Sequence, residues 1–116
     1  MNLFGLFSKK PPEHKGSGTD IQFKNHNPES KVLFVYNLMN KGLHDLNVII
    51  FDSEKNEFRV KIEKISVRST YEISLDKLVD INNTLIINPL STISILYNDQ
   101  TDKFRVNDDG KILRVR

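Results

Sequence analysis

The chain has no cysteine and no tryptophan, and only two methionines, four prolines and five glycines in 116 residues. Without thiols it forms no disulfide, no thiolate zinc centre, no iron–sulfur cluster and no cysteine nucleophile. A lack of disulfides leans towards a reducing compartment, so a cytoplasmic location is expected. Long apolar runs are also missing. The longest cover residues 32–36 and 48–51, far short of the ~20 residues a membrane-crossing helix needs, so no integral membrane segment is expected. Charge of one sign is lacking too: Lys and Arg number 17 against 15 Asp and Glu, a net +2, without the basic excess that marks a dedicated nucleic-acid binder.

Signatures of chemistry are equally scarce. The three histidines, His14, His26 and His44, show neither His-x-His nor His-x-x-x-His spacing, and a long-range site from His26, His44 and Asp45 has little to recommend it. Asp108-Asp109-Gly110 sits in no EF-hand pattern and serves a turn better than a calcium ion. Gly16-Ser17-Gly18 opens neither a phosphate loop nor a dinucleotide turn, and no G-x-S-x-G elbow occurs. A glycosidase pair among the loop carboxylates lacks the aromatic cleft it would need. No catalytic residue, no metal site and no cofactor is expected.

At the start, Leu3, Phe4, Leu6 and Phe7 precede Lys9 and Lys10. A secretion signal has the opposite order, a longer apolar core and a small-residue cleavage site. Asn2 in place of glycine excludes N-myristoylation. Residues 8–18 hold two prolines, two glycines and no apolar side chain, which is linker composition. Residues 1–18 are therefore read as a flexible arm and linker, and residues 19–116 as a single domain. The apolar tip (Leu3, Phe4, Leu6, Phe7) is a candidate tether to a membrane surface or a partner groove, and a weak one, because so short a segment buries little area.

From Thr19 onward the visible period is two. Phe58, Val60 and Ile62 alternate with Arg59, Lys61 and Glu63, the pattern of a strand with one face in the core. The phase then flips, with Ile65, Val67, Tyr71, Ile73 and Leu75 at odd positions, which predicts a β-bulge or a chain reversal near Glu63 and Lys64. Further strands are predicted over residues 20–24, 32–38, 46–51, 84–88, 92–98, around Phe104 and Val106, and over 111–115, with residues 107–110 as a hairpin turn carried by Asp-Gly. Residues 74–81 hint at one or two helical turns.

About eight short strands without crossover helices must pair antiparallel and stack to bury their apolar faces. The expectation is all-β: an antiparallel β-sandwich, immunoglobulin-like, with a small OB-like or other β-barrel as the alternative. The function that fits is a non-catalytic protein-binding or structural module acting through an exposed sheet edge or loops, with another protein as partner and with Gly42, His44 and residues 98–102 as contact loops. The alternative is an OB-like binder of single-stranded nucleic acid using a basic strand face of Arg59, Lys61, Arg105 and Arg114, with Phe58, Phe104 or Tyr71 turned outward to stack on bases. A weakly membrane-peripheral protein held by residues 3–10 is the second alternative.

Overall fold

The structure, a computed structural model, describes residues 18–115, which hold eight strands and no α-helix. In chain order the strands are β1 (Thr19–Phe23), β2 (Val32–Asn37), β3 (Leu43–Asp52), β4 (Glu57–Ile65), β5 (Thr70–Ser74), β6 (Leu90–Tyr97), β7 (Gln100–Val106) and β8 (Ile112–Val115). They make two antiparallel sheets, one ordered β1-β2-β5 and the other β4-β3-β6-β7-β8. The sheets are packed together as a β-sandwich, as the strand count and alternation require.

Between the sheets, Ile21, Leu33 and Val35 of the smaller meet Val48, Ile50, Phe58, Ile93, Ile95 and Phe104 of the larger, all essentially without solvent contact. Each such side chain contributes about 1.5–3 kcal/mol relative to exposure. The large sheet's inner residues alternate along most of its length. A register shift between Phe51 and Asp52, opposite the start of β6, lets Leu90 as well as Ile93 face the core. A second departure lies in β3 and β4. Leu43 and Leu46 are both buried, as are Ile62 and Ile65, although residues three apart on a regular strand face opposite ways. The pairing nevertheless keeps one register, with Leu43 opposite Ile65 and Leu46 opposite Ile62. Both strands switch phase together, with Asp45 in a left-handed conformation at the switch (φ 54). The predicted slip near Glu63 and Lys64 is thus real, but it lies within a strand pair that keeps its register. The chain reverses later, in a turn where Ser69 N–H donates to the Ser66 carbonyl at 3.0 Å.

Three local expectations change. Residues 84–88 form no strand; their only ladder contact is an isolated bridge between Val79 and Leu85, since no neighbouring strand lies beside them to pair with. The helical hint at residues 74–81 shrinks to one 3₁₀ turn, Leu75–Lys77. Residues 98–102 are hardly a loop: only Asn98 and Asp99, both at positive φ, make the turn, and Gln100 already pairs with Tyr97. A two-residue turn of this kind matches the twist of its strands. The Asp-Gly hairpin is where it was predicted. Gly110 (φ 90) donates to the Asn107 carbonyl, and a Cβ there would lie 2.5 Å from Pro28 Cδ, so that position demands glycine.

A buried carboxylate closes the corner where β1 meets β8. Asp102, 7% exposed on the inner face of β7, accepts from Thr19 N–H (3.0 Å), Thr19 Oγ1 (2.8 Å) and Tyr97 OH (2.6 Å) through Oδ2. Its Oδ1 pairs with Arg114 Nη1 at 3.2 Å. Arg114 in turn donates to the Thr19 carbonyl and lies over the Phe104 ring, 5.2 Å from its centroid. Four strands therefore share one charge-matched cluster. Burial, followed by the hydrogen bond to Asp102 and that carboxylate's charge, holds the Tyr97 hydroxyl well above the ordinary tyrosine range.

Asp102→Ala is expected to cost on the order of 2–4 kcal/mol, because it leaves Arg114, Tyr97 and Thr19 without their partner; urea unfolding of both proteins measures it. The raised Tyr97 pKa favours the neutral form in the folded state. Its contribution is complete below about pH 10, where the unfolded chain's tyrosine titrates, and declines as pH rises beyond that. Tyr97→Phe should lose about 1 kcal/mol at neutral pH and show a flatter stability profile above pH 10.

Candidate functional site

Most surface apolar residues in a sandwich are isolated, but one segment of this molecule concentrates them. Between the 3₁₀ turn after β5 and the start of β6, residues 78–90 cross one end of the sandwich. Leu78, Ile86 and Leu90 turn in and pack against the core. Val79, Ile81, Leu85 and Ile87 turn out, with Ile81 98% and Ile87 80% exposed.

The segment is tied down rather than loose. Asp80 organises its tip: Asp80 N–H donates to the Thr84 carbonyl (3.0 Å), Asn83 N–H donates to the Asp80 carbonyl (2.9 Å), and Asp80 Oδ1 accepts from the backbone of Asn82 (2.8 Å) and Thr84 (3.0 Å). The Val79–Leu85 bridge completes a miniature hairpin. At its far end the segment is pinned to the β3–β4 turn. Ser53 N–H donates to the Pro89 carbonyl at 2.8 Å, and Asn88 Nδ2 donates to Asp52 Oδ2 at 3.2 Å.

Asp52 is the anchor of that junction. It is almost wholly buried and also accepts from the backbone N–H groups of Glu54 and Asn56 and from Asn56 Nδ2. Burial by itself would raise its carboxyl. The hydrogen bonds from Asn56, Asn88 and Glu54 outweigh burial and hold the pKa below the ordinary carboxylate range.

Beside the segment lies a groove of ≈ 710 Å³ floored by Phe23, Leu75, Ile86, Leu90 and Val106, with Ile87 on its lip and Glu29, Lys31 and Asp108 along its rim. Its size falls in the ~300–1,000 Å³ range typical of binding clefts. A more polar depression of ≈ 700 Å³ is lined by Val79 and Ile81 of the hairpin together with Lys55, Asn56, Glu57 and Arg59. The two parts of the segment thus line different concavities, residues 79–82 the polar one and residues 86–90 the apolar one.

The residues singled out for nucleic acid are divided. Arg59 and Lys61 on β4 and Arg105 on β7 share the outer face of the large sheet, where Lys103 joins them. The rows read Arg59-Ile49-Ser94-Lys103 and Glu57-Phe51-Thr92-Arg105 across the strands. The two basic pairs are three strand spacings apart, about 14 Å, and Arg59 is ion-paired with Glu57. Arg114 is elsewhere, turned inward onto Asp102. Phe58 and Phe104 are each 1% exposed and present no face to a base, and Tyr71 lies on β5 in the other sheet.

Of the suggested contact loops, His44 lies on β3 opposite Lys64, Gly42 is half-buried beside it, and Asp102 belongs to the buried cluster. The tether residues Leu3, Phe4, Leu6 and Phe7 lie outside the described residues, as does His14. Among the described residues no group of three or more His, Asp or Glu could hold a metal ion, and no helix is long and apolar enough to cross a membrane. Sequence reasoning missed the 78–90 segment as a site because it read residues 84–88 as a strand. The warning signal was the unbroken Leu85-Ile86-Ile87 between Asn-rich and Pro-containing flanks, too short to bury both faces.

Asp52→Asn keeps the shape but weakens four hydrogen bonds to a charged acceptor. It is expected to lower stability by about 1–3 kcal/mol at pH 7. Because the folded pKa is lowered, the wild-type advantage is present above the unfolded value near 3.9 and disappears as pH falls through the folded pKa; thermal unfolding of both proteins between pH 7 and pH 2 should show the curves converging in acid. Compared with protein families, curated proteins and solved structures, the chain matches none.

Proposed function

We propose that the chain is a non-catalytic protein-binding module that meets its partner through residues 79–87 and the apolar groove beside them. One observation carries this reading: four large apolar side chains are held in water by a segment that is hydrogen-bonded at both ends. Apolar side chains that cost free energy in water, yet sit on an ordered scaffold, mark a surface made to be covered. Ordering in advance lowers the entropy lost on association.

Loop contact fits better than strand addition. The free edge of β1 runs close to β8 and that of β4 close to β5, and β4 carries Arg59, Lys61 and Lys64 along its length, features that deter a further strand. The order β1-β2-β5 against β4-β3-β6-β7 is also what an immunoglobulin-like Greek key produces when its third, fourth, sixth and seventh strands share a sheet. Such sandwiches commonly place recognition on the loops at one end, which supports an immunoglobulin-like reading here.

The double substitution Ile81→Ser with Ile87→Ser tests the reading. Both side chains are exposed, so the melting temperature should stay within about 2 °C of wild type. A stoichiometric protein partner held by the wild type should bind at least tenfold more weakly, since central apolar contacts contribute about 1–2 kcal/mol or more each. Unchanged binding by the double variant, measured by calorimetry on the isolated pair, would move the contact surface away from this segment.

A further inference from the structure

We infer that the groove receives a second copy of this chain, in a two-fold dimer where each copy's Ile87 covers the other's groove floor; this rests on the groove being a docking site for apolar side chains.

Shape is the first ground. The floor of Phe23, Leu75, Ile86, Leu90 and Val106 is a hole, and Ile87, 80% exposed on its lip, is a knob standing directly beside it. A two-fold interface uses the same patch on both copies, so the patch must complement itself. A hole alone would fit any apolar segment. A hole with a matching knob at its margin fits its own copy, because half a turn about an axis beside the lip carries each Ile87 over the opposite floor.

Charge is the second ground. The charged residues that line the groove are Glu29, Lys31 and Asp108. All three are exposed, and among the described residues none of them is in an ion pair. A rim that carries both signs favours neither a strongly acidic nor a strongly basic partner. It does match itself: the same rotation sets Lys31 of one copy against Glu29 or Asp108 of the other, and does so twice. The carboxylate left over on each copy stays in water. Pairs at such a rim fix orientation more than they add affinity.

Rigidity is the third ground. Lys31 holds a left-handed backbone conformation (φ 62), and its carbonyl accepts from Leu75 N–H on the groove floor at 2.9 Å. The turn that carries Asp108 is packed against Pro28 at Gly110. On the other wall the Pro89 carbonyl accepts from Ser53 N–H. Knob, hole and rim are therefore in place before association, which limits the ordering entropy it costs. One groove and its lip make a small interface, below about 1,200 Å² in total, so the dimer is a weak one that forms at micromolar concentrations or above.

Sedimentation velocity on the full chain, from micromolar to millimolar concentration, tests the inference. The wild type should pass from monomer to dimer and no further. Ile87→Ser should weaken the dimer at least tenfold. Lys31→Glu makes the rim wholly acidic, and Glu29→Lys with Asp108→Lys makes it wholly basic. Each of these two proteins alone should dimerise more weakly than the wild type, whereas their equimolar mixture should form a one-to-one dimer at least as tight as the wild type's. Every replaced side chain is exposed, so each variant should melt within about 2 °C of the wild type. A wild type that stays monomeric throughout overturns the inference. So does growth beyond the dimer, which would make the contact open-ended, and so does a dimer indifferent to Ile87→Ser or a mixture no tighter than its components. After any of these results, the Ile81 and Ile87 double substitution assayed against a different protein partner decides the docking reading separately: loss of that partner retains it, and unchanged binding removes it.

Discussion

A carboxylate taken out of water must be matched or neutralised, and much of this structure follows from how Asp102 is matched. Its two oxygens collect a backbone N–H and a hydroxyl from β1, a phenol from β6 and a guanidinium from β8. The geometry brings the first strand of the small sheet against the last strand of the large one. Without the Thr19 donors, β1 would touch the larger sheet mainly through side-chain packing. With them, the corner is closed by directional bonds that the low dielectric of the interior strengthens. The Arg114 guanidinium satisfies Asp102, the Thr19 carbonyl and the Phe104 ring at once, a combination that its planar fork permits and a lysine could not reproduce.

A second buried carboxylate, Asp52, does for the β3–β4 turn what Asp102 does for that corner. It caps the β3–β4 turn through Glu54 and Asn56 and reaches Asn88 in the crossing segment. Residues 78–89 belong to neither sheet, so their position depends on this junction, on the Asp80 turn, on the inward side chains of Leu78 and Ile86 and on Leu90 at the start of β6. That economy explains why the segment can be ordered and still expose Ile81 and Ile87. Few of its groups are needed for folding, which leaves the remaining ones free to serve recognition.

The distribution of the basic residues makes the same point by contrast. Arg59, Lys61, Lys103 and Arg105 line the margins of a sheet face with Ile49, Ser94 and half-buried Phe51 between them. Bases of a single-stranded nucleic acid stack on aromatic platforms among cations; Phe58 and Phe104 are committed to the core, while half-buried Phe51 lies on this face. Charges at these positions keep an open sheet face and its edge soluble and unpaired. The apolar segment and groove are the more distinctive feature of the surface.

The sequence by itself determined the layered all-β class, the position of most strands, the phase flip in β4 and the Asp-Gly hairpin. Each of these is written in alternation or in the conformational demand of a single residue, and neither depends on distant partners. Even the inward direction of Asp102 was legible in principle, since it shares parity with Phe104 and Val106, as Arg114 does with Ile112. Only the tertiary structure decided that those two charges meet, that Asp52 and not Asp108 is buried, and that Leu85 and Ile87 face water instead of a neighbouring strand. These outcomes depend on what lies adjacent in space: Asp102 meets Arg114 across a hairpin and Thr19 across 83 residues, and Asp52 meets Asn88 across 36. Local periodicity carries no information about that adjacency, because the same alternating strand can sit at any position in a sheet.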